Sequence, residues 1–125
     1  MFGLLADQGV GSIPWSPLAK GFLARPWGEQ TQRSEVDPMG QRYKPDVNRP
    51  IVQSVQQTAQ AREVPMAQVA LAWVLQREAV TAPIIGATKP GHVEDAISAL
   101  DVELDEDEVA ALEAPYVPHP VLGHE

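Results

Sequence analysis

The segment PIIGATKPGHVEDA, residues 83–96, gives the clearest indication of how this chain folds. It contains most of a short apolar run, Ala82 to Ile85, which is bounded by Thr81 and Gly86 and predicts a strand buried on both faces. Pro90 then predicts the start of a helix that extends to about residue 100, because proline suits the first helical position. A strand that leads directly into a helix is a βα unit, the building block of a parallel sheet.

The turn inside this stretch has the composition of a phosphate-binding loop. Gly86 allows a ligand to approach the backbone closely, and Thr88 and Lys89 add a hydroxyl group and a positive charge. The free amides at the start of the following helix favour an anion. The spacing differs from the glycine patterns of dinucleotide-binding and P-loop proteins, so an ordinary turn remains the alternative.

A second stretch of the same kind is IPWSPLAKGFL, residues 13–23. Val10 to Trp15 predicts a short buried strand, which Ser16-Pro17 ends because proline cannot donate to a sheet ladder. The loop that follows offers backbone amides, the Ser16 hydroxyl and the Lys20 charge. Ligands of α/β proteins bind at the C-terminal ends of parallel strands, where this loop lies. A strand end with an ordinary turn is again the alternative.

The remaining segments are mainly helical. Asp105 and Glu108 form a predicted capping box at the start of the last helix, which ends near Pro115. Residues 24–50 have no apolar period and predict a long loop. Two strands alone cannot close a stable parallel sheet, so the chain is expected to be part of something larger. The chain is predicted to begin with the end of a helix at 2–8, closed by Gly9 and Gly11, and to finish in an extended tail from Tyr116. Two helices are predicted between these ends: one at 51–62, with Ile51, Val55, Thr58 and Ala59 on one face, and one that begins at Pro65, with Met66, Val69, Ala70, Trp73 and Val74 on one face. The helix after Pro90 has an apolar stripe of Val93, Ile97 and Leu100.

Composition excludes several classes of function. The net charge is −8, and the excess lies after residue 100, where there are eight acids and no Lys or Arg. Nucleic-acid binding needs a basic stripe, which is absent. The longest apolar run, Val69 to Leu75, is far shorter than the roughly 20 residues of a membrane span. There is no cysteine, which excludes disulfides and is compatible with the expected cytoplasmic location. The three histidines, His92, His119 and His124, lack metal-ligand spacing.

Together the two stretches resemble the last two βα units of the aldo/keto reductases, in particular a bacterial group that has IPWSPLA-x-G at the seventh barrel strand. The run from Val64 to Glu113 resembles the seventh helix, the eighth strand, the eighth helix and an added C-terminal helix of that family. The resemblance implies an α/β fold, the C-terminal portion of a (β/α)8 TIM barrel with NADP(H) as cofactor. Residues 1–125 would then form one partial domain of an NADP-dependent oxidoreductase that reduces aldehydes and ketones.

The resemblance also implies roles for individual residues. Trp15 corresponds to the aromatic residue that stacks on the nicotinamide. His92 stands where many members have Arg or Gln, and Asp95 and Ala96 stand where many have Glu and Asn near the adenine. The implied pyrophosphate contacts are Ser16, Leu18, Lys20 and Gly21, and the implied 2′-phosphate contacts are Gly86, Ala87, Thr88 and Lys89.

The family's catalytic Asp, Tyr, Lys and His lie in its N-terminal half, so no catalytic residue is assigned here. Tyr43 and Tyr116 lie outside any family motif. We therefore expect a truncated reductase that is inactive alone, or else a non-catalytic dinucleotide-binding or interaction fragment. The expected partners are the dinucleotide and either a second copy of the chain or a complementing N-terminal half, with no nucleic acid and no membrane.

Overall fold

The computed structural model describes residues 2–29 and 44–118, which form five α-helices and two short 3₁₀ segments. The centre of the predicted loop and the tail beyond residue 118 lie outside the described residues. In chain order the elements are α1 (Phe2–Asp7), a kinked 3₁₀ segment (Ala19–Ala24), α2 (Pro45–Arg62), α3 (Met66–Leu75), α4 (Pro90–Ser98), a 3₁₀ turn (Ala99–Asp101) and α5 (Glu106–Glu113).

The apolar core lies between α2, α3 and α5. Val69 of α3 is fully buried. The helix is buried on most of its circumference, so its buried surface is wider than the single apolar face that the sequence predicts. Trp73 is partly buried against the core, where its indole N–H donates to Glu113 of α5 at 3.0 Å. The core side chains are Val52, Val55, Ala59, Met66, Val69, Ala70, Ala72, Leu104 and Leu112.

Helix α2 begins earlier than the sequence predicts. It starts at Pro45, so the last six residues of the predicted 24–50 loop are helical, and Val52 rather than Ile51 is buried. Pro50 lies inside the helix and cannot donate the hydrogen bond that the carbonyl of Asp46 would otherwise accept. Both residues are exposed, so water can satisfy that carbonyl and the helix continues.

The two predicted strands pair in parallel, but only through isolated bridges. Ser12 pairs with Val80, and Trp15 pairs with Ile84. The prediction that both strands are buried is wrong: Ile13 is 64% and Ile84 is 52% exposed. Burial on two faces needs covering layers, and within residues 2–29 and 44–118 no layer covers these segments. The parallel direction agrees with the predicted βα units.

Helix α4 presents its apolar stripe to solvent. Val93, Ile97 and Leu100 are exposed, whereas the small Ala99 is buried and anchors the end of the helix. The predicted stripe is therefore present in the sequence but lacks a covering partner within the described residues. The same holds for Phe2 and Leu4 of α1, which are also exposed apolar residues.

Local capping signals are confirmed. The Asp105 carboxylate accepts from the Glu108 amide, and the Glu108 carboxylate accepts from the Asp105 amide, both at 2.9 Å. Arg62 of α2 pairs with the same Glu108 side chain and donates to the carbonyl of Glu103 at 2.6 Å. The hydrogen bond from Arg62 lowers the pKa of Glu108, and the same bond raises the pKa of Arg62. These contacts fasten α5 to α2.

Gly9 ends α1 with a φ of 62°, as the predicted glycine turn requires. No helix among residues 2–29 and 44–118 combines the length and apolar character that crossing a membrane requires.

Candidate functional site

The two predicted ligand segments begin side by side. The amide of Thr81 donates to the carbonyl of Ser12, and the amide of Ile84 donates to the carbonyl of Pro14, both at 2.8 Å. The Ser12 hydroxyl, which sequence reasoning missed, donates to the carbonyl of Ala79 at 2.7 Å. Because the segments run parallel, their C-terminal ends lie at the same edge. The loop after Trp15 and the loop after Ile84 therefore leave the pair from one side.

The first loop has an unusual backbone. Ser16, Ala19 and Lys20 have φ values of 53°, 47° and 58°, in the left-handed region that costs a non-glycine residue about 1 kcal/mol or more. Gly21 follows with a φ of 93°, and a Cβ atom there would lie 2.7 Å from the Arg25 guanidinium. Backbone strain of this kind persists only where surrounding contacts hold it, and it concentrates at ligand sites.

Contacts with the helical core hold the strained loop in place. Leu18 packs against the helical core, and its carbonyl accepts from the Gly21 amide at 2.8 Å. The predicted contribution of Leu18 to a ligand would thus come from its backbone, since its side chain is used in packing. Trp15 is 70% exposed and Ser16 is also exposed at the open edge, whereas Lys20 is half-buried.

The second segment is fully accessible. Gly86, Ala87, Thr88 and Lys89 are all exposed. Lys89 is the N-cap of α4 with an extended backbone, and no side chain caps the helix there. Pro90 has no N–H, and the His92 amide donates to the Lys89 carbonyl at 3.1 Å. The Gly91 amide and the exposed Lys89 side chain are therefore the first-turn groups that suit an anion.

His92 and Asp95 both have partners within the protein. The Thr88 amide donates to Nδ1 of His92 at 3.4 Å, which orders the turn before α4. The Asp95 carboxylate accepts from the side-chain amide of Gln68 on α3 at 3.1 Å. Sequence reasoning did not single out Gln68. Its only signal was a glutamine within the otherwise apolar run MAQVALAWVL.

Two alternatives to this site, a groove elsewhere on the surface and a metal site, are less suitable. An open groove of about 470 Å³ lies between the end of the 3₁₀ segment and the α2–α3 junction, with Arg25, Glu29 and Glu63 on its rim. It contains none of the predicted site residues and is wide open, so it offers a dinucleotide no continuous anion-binding surface. Within residues 2–29 and 44–118, no group of three His, Asp or Glu side chains is arranged to hold a metal ion, while His119 and His124 lie outside that part of the chain.

Comparison with known proteins identifies the relatives of this arrangement. A model of the aldo/keto reductase family matches residues 1–116. The chain is 44% identical over 122 residues to an aldo-keto reductase of Fusarium vanettenii, covering 94% of this chain and 32% of that protein. It is 46% identical over 121 residues to the aldo-keto reductase dtxS3 of Metarhizium robertsii, covering 93% and 32%.

A relative with a more specific name is the versiconal hemiacetal acetate reductase of Aspergillus parasiticus, which is 35% identical over 117 residues, 90% of this chain and 34% of that protein. The chain therefore spans about a third of the length of these curated relatives. The match to the family model extends over almost all of the chain and includes both predicted ligand segments. This chain belongs to the aldo/keto reductase family.

Proposed function

We propose that this chain forms the dinucleotide-holding part of an NADP(H)-dependent aldo/keto reductase, an oxidoreductase that converts carbonyls to alcohols. The parallel pairing of residues 12–15 with 80–84 carries this proposal, because it brings both ligand loops to one edge. When bound, the dinucleotide supplies the hydride. The residues of this chain hold it and are not assigned the chemical step.

The accessible groups fit the parts of NADPH. The exposed indole of Trp15 offers an aromatic face to the nicotinamide ring. The left-handed turn at 19–21 and the Lys20 charge suit the pyrophosphate. Lys89, His92 and the Gly91 amide suit the additional 2′-phosphate that distinguishes NADPH from NADH. These features support the cofactor preference, which remains our proposal.

A titration tests this assignment. A charged hydrogen bond to a phosphate contributes about 1.5–3 kcal/mol, so Lys89→Ala should weaken NADPH binding about tenfold or more. NADH affinity should change little. Lys44→Ala removes the same charge from an exposed site at the start of α2 and serves as the matched control. Equal affinity for both dinucleotides in the wild type and in both variants would contradict the assignment.

We also propose that strands completing the barrel cover the exposed apolar surface. That surface includes Ile13, Ile84, Ile97 and Leu100, each more than half exposed. The chain spans about a third of the length of its relatives, whose other two thirds include strands able to supply such a cover if the family barrel is formed. Without it, the isolated chain should self-associate or be partly molten. Sedimentation that shows a compact, cooperatively unfolding monomer would reject this proposal.

A non-catalytic dinucleotide-binding or interaction fragment is the second candidate. Within residues 2–29 and 44–118 the only tyrosine is Tyr116, which is exposed in the segment after α5. A carbonyl reductase needs a proton donor beside the nicotinamide, and Tyr116 follows a different element from both ligand loops. Restoration of NADPH-dependent carbonyl reduction on adding the N-terminal part of a family member would favour the reductase. NADPH binding without restored turnover would favour the fragment. We also propose a cytoplasmic location, with which the absence of cysteine is compatible.

A further inference from the structure

The side chain of Gln68 occupies an unusual position. It is a carboxamide in the middle of α3, is only 9% exposed, and has apolar neighbours along the helix such as Val69 and Leu71. A buried amide group destabilises the fold unless it is hydrogen-bonded. Its Nε2 atom donates to Asp95 at 3.1 Å, and this bond joins α3 to α4 across 27 residues of sequence.

Asp95 occupies a decisive place on α4. It lies three residues after His92, so the two side chains are neighbours on one face of the helix. The Nδ1 atom of His92 accepts a hydrogen bond from the amide of Thr88, which lies just before the helix. The hydrogen-bonded pairs Gln68–Asp95 and Thr88–His92 therefore meet α4 one turn apart on the same face, between the buried core and the proposed phosphate-binding turn.

Helix α4 has few other anchors at this end. No side chain caps its first turn, and Val93 and Ile97 are exposed rather than packed. The buried anchor of this region, Ala99, lies beyond the other end of the helix. The Gln68–Asp95 hydrogen bond is thus a polar contact that restrains rotation of α4 about its axis.

We propose that Gln68 is a positioning residue for the dinucleotide site, acting through Asp95 to orient the first turn of α4 toward the 2′-phosphate. This inference rests on the proposed function. It also gives Asp95 a different task from a direct adenine contact, because the carboxylate is engaged with the core. The Gln68 side chain itself touches no ligand.

Calorimetric titration of the full 125-residue chain with NADPH and NADH tests the inference. Gln68→Met keeps the length of the side chain and removes its donor, and Asp95→Ala removes the acceptor. Each should weaken NADPH binding about three- to tenfold, the range of one lost hydrogen bond, and should weaken NADH binding less. Asp95→Asn keeps an acceptor oxygen and should remain within about twofold of the wild type.

The double variant Gln68→Met/Asp95→Ala separates a shared path from independent effects. If the two residues act together, its NADPH affinity equals that of either single variant. Gln57→Met, the same change at an exposed position of α2, is the matched control and should bind as the wild type does. If Gln68→Met alone loses its helical circular dichroism, the Asp95→Ala and Asp95→Asn pair still decides, since Asp95 is only half-buried.

Three results would overturn the inference. Unchanged NADPH affinity in Gln68→Met would show that the bond positions nothing. Additive losses in the double variant, with Asp95→Asn as weak as Asp95→Ala, would show that Asp95 contacts the nucleotide itself. A wild-type chain with no NADPH affinity would refute the proposed function and this inference together, whereas the first two outcomes leave the proposed function intact.

Discussion

Replacement of Gln76 should weaken the attachment of the segment before α5 to the end of α3. The side chain of Gln76, just after α3, donates to the Leu104 carbonyl at 2.9 Å and accepts from the Leu104 amide at 3.1 Å. One carboxamide thereby satisfies both backbone groups of a residue whose own side chain is 4% exposed. Gln76→Met fills a similar volume but offers neither a donor nor a comparable acceptor.

The expected loss follows from these two hydrogen bonds. Each contributes about 1 kcal/mol net, and a buried backbone group left without a partner costs about 1–3 kcal/mol. Since Gln76 itself is exposed, water replaces part of what is lost, and we expect the free energy of unfolding to fall by about 2 kcal/mol in Gln76→Met. Gln76→Glu keeps the acceptor and loses the donor at neutral pH, so it should cost about half as much, and protonation of the introduced carboxyl group in acid should restore the donor.

Two measurements check this prediction. Urea unfolding followed by circular dichroism reports the global change, with Gln57→Met as control. Amide hydrogen exchange at Leu104 reports the local contact even if the isolated chain associates. Wild-type protection of that amide in Gln76→Met, together with an unchanged urea midpoint, would refute the reasoning.

Three further predictions concern packing, pH and catalysis. Val69→Ala removes two buried carbon groups and should lower the free energy of unfolding by about 2 kcal/mol in urea unfolding, whereas Val117→Ala, at a 61% exposed site, should change it by less than about 0.5 kcal/mol; equal effects would contradict the assigned core. Because the Arg62 hydrogen bond lowers the pKa of Glu108, its stabilisation should be present above the ordinary carboxyl pKa of about 4.3 and disappear as pH falls below it. Glu108→Gln keeps the capping box, so the wild type should exceed it by about 0.5–1 kcal/mol at pH 7 and by less at pH 3.5, and a pH-independent difference would exclude this linkage. The pure chain should not oxidise NADPH with a panel of aldehydes, and turnover that disappears in Tyr43→Phe would reverse that expectation.

Local signals in the sequence predicted the starts and ends of elements well. Pro65 precedes α3, Pro90 opens α4, and the capping box of Asp105 and Glu108 opens α5. These signals work because a cap or a proline acts on backbone groups within one turn. The start of α2 was missed because residues 24–50 show no apolar period, which local signals alone interpret as a loop. The helix continues through Pro50 because the carbonyl left without a donor is exposed to water.

The candidate site, too, could be predicted from the sequence only in part. The family, the two candidate ligand segments and the residue types within them could be predicted from the sequence, because those depend on motif and order along the chain. The parallel pairing of Ser12 with Val80 and the hydrogen bond from Gln68 to Asp95 emerged only from the three-dimensional structure. That structure also decided that the two predicted strands stay uncovered. Burial and hydrogen-bond partners depend on what packs against a segment from distant parts of a chain, and no local pattern of residues specifies that.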